Sequence, residues 1–126
     1  MIYLDTHLVA WIFAGRIDLL PSTVQSLLDE HDLLISPAVE LELQYLYEIQ
    51  RTAKPARQVI EALGRDIGLG VCDLPFSHVV EVALEQSWTR DPFDRLIVSQ
   101  AMLREATLVT RDQAIRANYP AATWQG

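Results

Sequence analysis

Ile2-Tyr3-Leu4-Asp5-Thr6-His7-Leu8-Val9-Ala10-Trp11-Ile12-Phe13 sets the pattern that the rest of the chain repeats. Three apolar residues make a short buried strand, and an aspartate ends it. The apolar segment from His7 to Phe13 then reads as a helix packed under the sheet, with Gly15 as its C-cap. The pattern returns at Leu33-Leu34-Ile35, a second buried strand, followed by Ser36 as an N-cap and Pro37 at the first helical position, where its missing N–H costs nothing. Val39, Leu43, Leu46 and Tyr47 carry that helix at helical spacing to about Gln50. It returns again at Thr107 to Thr110, after which Asp112 heads a short helix. Strands separated by helices mean βαβ units and a mainly parallel sheet, the α/β class.

The segments between complete the pattern. Pro21 and Ser22 open a helix through about Glu30, with Val24, Leu27 and Leu28 on one face. Pro55 starts another through Leu63, closed by Gly64. Val71 to Leu74 is a third strand, and Ser77 caps a helix bearing Val79, Val80, Val82, Ala83 and Leu84. Asp91-Pro92 repeats the cap-plus-proline signal ahead of a strongly buried helix with Leu96, Ile97, Ala101 and Leu103. Ala122 to Trp124 is a fifth, edge strand. There is no internal repeat, low-complexity tract or linker, and the basic stretch Arg51 to Arg57 reads as an exposed loop.

A chain of 126 residues is the size of one domain, residues 1–126. Half of it is hydrophobic, enough for a real core. No stretch reaches the roughly 18 apolar residues of a membrane span, and residues 1–4 begin directly as a strand, so a soluble, cytoplasmic protein is expected, with no membrane partner. The single cysteine, Cys72, lies in an apolar run and reads as a small buried hydrophobe. A net charge of −7 argues against coating nucleic acid through a broad basic surface, though not against a local grip on RNA. Four of the nine arginines, Arg90, Arg95, Arg111 and Arg116, flank the two C-terminal acidic motifs; the one lysine is Lys54.

Asp5, Glu42, Asp94 and Asp112 each fall just past a strand or early in the helix that follows. In a parallel α/β sheet those places converge on the crevice outside the carboxyl ends of the strands. Carboxylates crowded there repel one another, and a hard divalent ion with a preference for oxygen, Mg²⁺ or Mn²⁺, would hold them together. Taken singly, each has a bland explanation. Asp5 and Asp112 also suit helix N-caps, and Asp91 has a complete explanation as a cap for the residues after it. Glu40 and Glu42 lie about 200° apart around their helix, so that Glu42 falls beside Val39, Leu43 and Leu46 while Glu40 faces solvent. A carboxylate on an apolar face needs a partner, either an arginine or a metal. Asp94 sits in the first helical turn before Leu96, Ile97 and Val98, and Arg95 beside it is placed to orient a carboxylate or meet a phosphate. His7, His31 and His78 are isolated and read as structural. The aromatics Trp11, Phe13, Trp88, Phe93 and Trp124 read as core or interface. No G-x-S-x-G, P-loop or G-x-G-x-x-G is present.

With these strings assembled, the chain resembles PIN-domain proteins of the VapC toxin type. The matching segments are Ile2-Tyr3-Leu4-Asp5-Thr6-His7 with Trp11, Ile35-Ser36-Pro37 leading to Glu42, Asp91-Pro92-Phe93-Asp94-Arg95, and Leu108-Val109-Thr110-Arg111-Asp112. The resemblance implies a three-layer α/β/α sandwich around a parallel sheet of four or five strands, and a ribonuclease that depends on Mg²⁺ or Mn²⁺. It also implies a homodimer and a cognate VapB-like antitoxin. Asp5, Glu42, Asp94 and Asp112 match the family's acidic quartet, with Thr6 and Thr110 as supporting hydroxyls. Two positions depart from the common pattern: Trp88-Thr89-Arg90 stands where a histidine often precedes the D-P-F-D-R string, and Glu40 stands where a hydrophobic residue is usual.

Two other classes compete. A phosphoryl-transfer domain of similar architecture needs a lysine near the phosphoryl group, and Lys54 in a loop is the single candidate. A catalytically silent PIN-like module would bind a protein partner but has no use for four clustered acids. The helix from Val39 to Tyr47 offers Leu43, Leu46 and Tyr47 over a wide arc, an antitoxin groove or dimer face unless the helix from Pro55 to Leu63 covers it. Which RNA is cut is not legible, since recognition of unpaired bases depends on loop geometry.

Overall fold

The computed structural model of the protein describes residues 1–125. In chain order its elements are β1 (Ile2–Leu4), α1 (Thr6–Phe13), α2 (Ser22–Glu30), β2 (Leu33–Ile35), α3 (Pro37–Glu48), α4 (Ala56–Ile67), β3 (Gly70–Val71), α5 (Phe76–Ala83), α6 (Pro92–Leu103), β4 (Thr107–Val109), α7 (Gln113–Asn118) and β5 (Ala122–Thr123). A single 3₁₀ turn at Ile17–Leu19 lies between α1 and α2. The five strands form one sheet in the order β3-β2-β1-β4-β5, and every pairing is parallel.

Side chains of successive strand residues point to opposite faces. All three residues of β1 are nonetheless buried, Ile2, Tyr3 and Leu4 at 1–2% exposure, so both faces of the sheet are covered, as parallel sheets require. The core gathers these residues with Leu8, Val24, Val39, Val98 and Leu108. Cys72 is buried within it and accepts a hydrogen bond from the Tyr3 hydroxyl at 2.9 Å. No helix among the described residues is long and apolar enough to cross a membrane.

The order of strands decides where the site lies. Strand β1 is central, and the chain leaves it for β2 on one side and later returns to β4 on the other. That reversal is the switch point at which an open α/β sheet has its crevice. Asp5 and Thr110 stand at the ends of the two strands that flank it.

Several boundaries differ from the sequence expectation. Helix α4 runs straight through Gly64 to Ile67, and its C-cap is Gly68, whose φ of +71° places it in the left-handed region. Ala56, Val59 and Leu63 keep one face of α4 buried, and this face outweighs the roughly 1 kcal/mol that a helical glycine costs. The third strand is Gly70–Val71 rather than Val71 to Leu74, although the Cys72 N–H still bonds the Ile35 carbonyl. Pro75, not Ser77, is the cap position of α5. The 3₁₀ turn had no counterpart in the hydrophobic pattern.

Helix α3 packs against α4, α6 and α1. Leu43 is fully buried and Leu46 half-buried, so neither is part of the free arc expected from the sequence. Its exposed apolar residues are Leu41 (63%) and Tyr45 (51%), with Tyr47 less so.

Candidate active site

Asp5 follows β1 and caps α1. One carboxylate oxygen accepts from the Thr6 N–H at 2.8 Å and the other from the Thr110 hydroxyl at 2.6 Å. The aspartate is 8% exposed. Burial raises its pKa above the ordinary range, against the lowering effect of Thr110, Thr6 and His7, and Asp112 adds to the rise. Thr110, fully buried at the end of β4, also accepts from the Asp112 N–H at 3.1 Å. One threonine hydroxyl thus ties the Asp5 carboxylate to the turn that carries Asp112.

Thr6 plays the matching part on the other side. Its hydroxyl donates to the Glu42 carboxylate, linking the start of α1 to α3. Glu42 is half-buried, and burial, then Asp5 and Asp91, raise its pKa against the hydrogen bond from Thr6. Glu40 lies on a different face of α3 and lines a separate surface depression with Leu41 and Gln44. Of the two glutamates, Glu42 is the one that lines the cleft with Asp5 and Asp94.

Asp91 caps α6, accepting from the Phe93 and Asp94 N–H groups at 2.8 and 3.3 Å. Asp94 then projects from the first turn. Its pKa is pushed up to about 7, chiefly by burial and then by Asp91, Asp5, Asp112 and Glu42, all in the same direction. Asp112 caps α7 through the Ile115 N–H at 3.0 Å and remains exposed. Arg95 does not orient Asp94: its guanidinium donates to the backbone carbonyls of Thr89 and Ala83.

Asp5, Glu42, Asp94 and Asp112 all line one cleft of about 420 Å³, and Asp91 joins them. Caps and cleft residues are thus not exclusive categories here. Asp5, Asp91 and Asp112 each cap a helix and also line the cleft. His7, Trp11, Arg111 and Trp124 line the same cleft, which the sequence reading did not foresee. The available signal was that His7 and Trp11, four residues apart, share a face of the helix that starts at Asp5.

Among the described residues, no three or more His, Cys, Asp or Glu side chains form a group that would hold a metal ion in this arrangement. The donor chemistry nevertheless fits a hard divalent cation. The lining carboxylates are oxygen donors of one charge, and three of them have pKa values raised by burial and by each other.

The PIN domain family model matches residues 2–119. The chain belongs to the PIN-domain family. This PIN domain is 28% identical to Ribonuclease VapC22 of Mycobacterium tuberculosis (strain ATCC 25618 / H37Rv) over 131 aligned positions, covering 98% of each chain. Its fold matches a toxin-antitoxin complex from Klebsiella pneumoniae with a TM-score of 0.67 at 17% identity, covering 98% of this chain and 96% of the other. It also matches VapBC2 from Rickettsia felis, solved bound to a DNA fragment from the promoter, with a TM-score of 0.65 at 22% identity and coverage of 97% and 96%. The resemblance to VapC-type toxins read from the sequence therefore holds, as does the α/β sandwich around a parallel sheet.

Proposed function

We propose that this protein is a metal-dependent endoribonuclease, the toxin of a VapBC-type toxin–antitoxin pair, formed by a single PIN domain over residues 1–126. The observation that carries the reading is the convergence of Asp5, Glu42, Asp94 and Asp112 on one cleft, with Asp94 pushed up to about 7. Acids this costly to ionise together are expected where function needs them. The full-length similarity to a ribonuclease of the VapC type supports the same conclusion.

In this reading Asp5, Glu42, Asp94 and Asp112 hold one or two Mg²⁺ or Mn²⁺ ions. Such an ion supplies Lewis acidity at the scissile phosphate and lowers the pKa of a bound water. The chain's own part is positional. Thr110 and Thr6 fix the Asp5 and Glu42 carboxylates by hydrogen bonds, so that neither has to reorganise on binding. Glu42, half-buried with a pKa raised by burial, would take the proton from an attacking water. Leu41 and Tyr45 leave an apolar face on α3, which a protein partner would cover, either a VapB-like antitoxin or a second copy of the chain in a homodimer. In this reading the protein acts on RNA in the cytoplasm.

The test is cleavage of end-labelled total RNA by the antitoxin-free protein, in Mg²⁺ or Mn²⁺ against chelator, with Asp94→Asn in parallel. Metal-dependent products that vanish in the variant are expected. Products that persist in Asp94→Asn would show that these acids do not carry the reaction. No cleavage in any condition would favour a catalytically silent binding module.

A further inference from the structure

The acid-lined cleft has a second wall of different chemistry. Trp11 meets Trp124 edge-on, with ring centroids 6.0 Å apart at 65°, and the His7 ring centroid lies 6.3 Å from that of Trp11. The Arg111 guanidinium carbon lies 5.9 Å from the Trp11 ring centroid. All four line the cleft: His7 and Arg111 are exposed, and both tryptophans pack against the core yet stay partly open.

The other arginines near the acidic motifs are already engaged. Arg90 donates to the Ser87 carbonyl, Arg95 to that of Thr89, and Arg116 to that of Arg111. Among the described residues, the salt bridges are Arg16–Asp18 and Arg104–Asp73, so the Arg111 guanidinium is unpaired beside five carboxylates. Metal ions held by the acids would offset this charge for the phosphate itself, whereas a base beside it has to be held by contacts that do not depend on charge. Stacking of a base on an aromatic ring is one, and it tolerates any base because every base has a π-face.

We propose that Trp11 and Trp124, with Arg111, form a subsite that holds an unpaired nucleobase beside the scissile phosphate. The RNA must then be single-stranded, or must extrude a base, at the cut. A base held within a helix cannot offer its face to the tryptophans, whereas loops and bulges can. Arg111 is placed to stack on the base or to meet its phosphate. The inference rests on the ribonuclease reading and adds what the cleft selects.

The test uses the full chain carrying Asp94→Asn, so that RNA is bound without being cut. The probes are a random-sequence single-stranded RNA pool, the same pool annealed to its complement, and one oligonucleotide from the bound fraction resynthesised with a single abasic site moved along it. The single-stranded pool should bind well above the duplex, and one abasic position should weaken binding about tenfold, equivalent to ~1.4 kcal/mol. In Trp124→Ala that position should lose its effect, and Trp124→Phe should restore it, a pattern that a loss of folding would not produce. Far-ultraviolet circular dichroism and melting confirm that each variant is folded, and Trp11→Phe serves as a second probe of the wall. Equal affinity for single strand and duplex, or an abasic profile unchanged in Trp124→Ala, would overturn the subsite while wild-type cleavage of total RNA left the ribonuclease reading intact. No RNA binding and no wild-type cleavage would overturn both.

Discussion

Asp94 has an ordinary pKa of 3.8 in an unfolded chain and about 7 in the folded one. Between those values the metal-free native state holds a proton that the unfolded state has released. Raising the pH through that window therefore lowers stability, and the penalty is complete above it. Urea midpoints in chelator should fall from about pH 4 to about pH 7 and level off above, and Asp94→Asn should flatten the dependence. The same substitution should cut metal-dependent cleavage by about a hundredfold or more and remove most of the melting-temperature gain on adding Mn²⁺. Thr110 is a different case, because it supports the site without lining it. Thr110→Val removes the donor to the buried Asp5 carboxylate and should cost about 1–3 kcal/mol in urea unfolding, whereas Thr110→Ser should recover most of it. Asp5, Glu42 and Asp112 were legible in the sequence because each lies just past a strand or in the helix after it, whereas Asp94, expected at the same kind of place, lies in the first turn of α6, which follows α5 and not a strand. Trp11, Trp124 and Arg111 were legible as residues but not as a wall, since nothing in their spacing brings residue 124 against residue 11.

The elements obey local rules wherever local terms are strong. Ser36-Pro37 and Asp91-Pro92 begin α3 and α6 where the cap and proline signals put them. For Asp91, replacement by Ala should cost about 1 kcal/mol, and by Ser only a few tenths, in thermal or urea unfolding. The end of α4 went to Gly68 instead of Gly64 because two glycines competed and only the later one needs positive φ. This assigns them opposite responses. Gly64→Ala should stabilise by about 0.5–1 kcal/mol, since the helix is continuous there and an added Cβ meets the Leu69 carbonyl at an ordinary 3.5 Å. Gly68→Ala should destabilise by about 1–2 kcal/mol, although nothing lies within 4 Å of its Cβ position, because the cost is in the backbone. Chemical unfolding of the two variants side by side checks the pair.

At the scale of the molecule, stability and function meet at the centre of the sheet. Leu108 is fully buried in β4, between β1 and β5. Leu108→Ala should cost about 2–5 kcal/mol in urea unfolding through the cavity it leaves, and should disturb the strand ends that carry Asp5 and Thr110. On the outer face of α3, Leu41→Glu should leave the melting temperature nearly unchanged yet weaken co-purification with an antitoxin or self-association. The sequence by itself determined the alternation of strand and helix, the helix starts and the residue types at the strand ends, because these depend on side-chain periodicity and on chemistry within a few residues. It also carried the family's strings in order. Tertiary structure alone decided the strand order that makes β1 and β4 neighbours across more than a hundred residues of chain, and with it the bonds from Thr110 to Asp5 and from Thr6 to Glu42. It decided as well which glutamate of α3 enters the cleft and which aromatics face the acids. Those outcomes follow from how whole faces pack on one sheet, a balance of burial over all the elements at once that no local pattern contains.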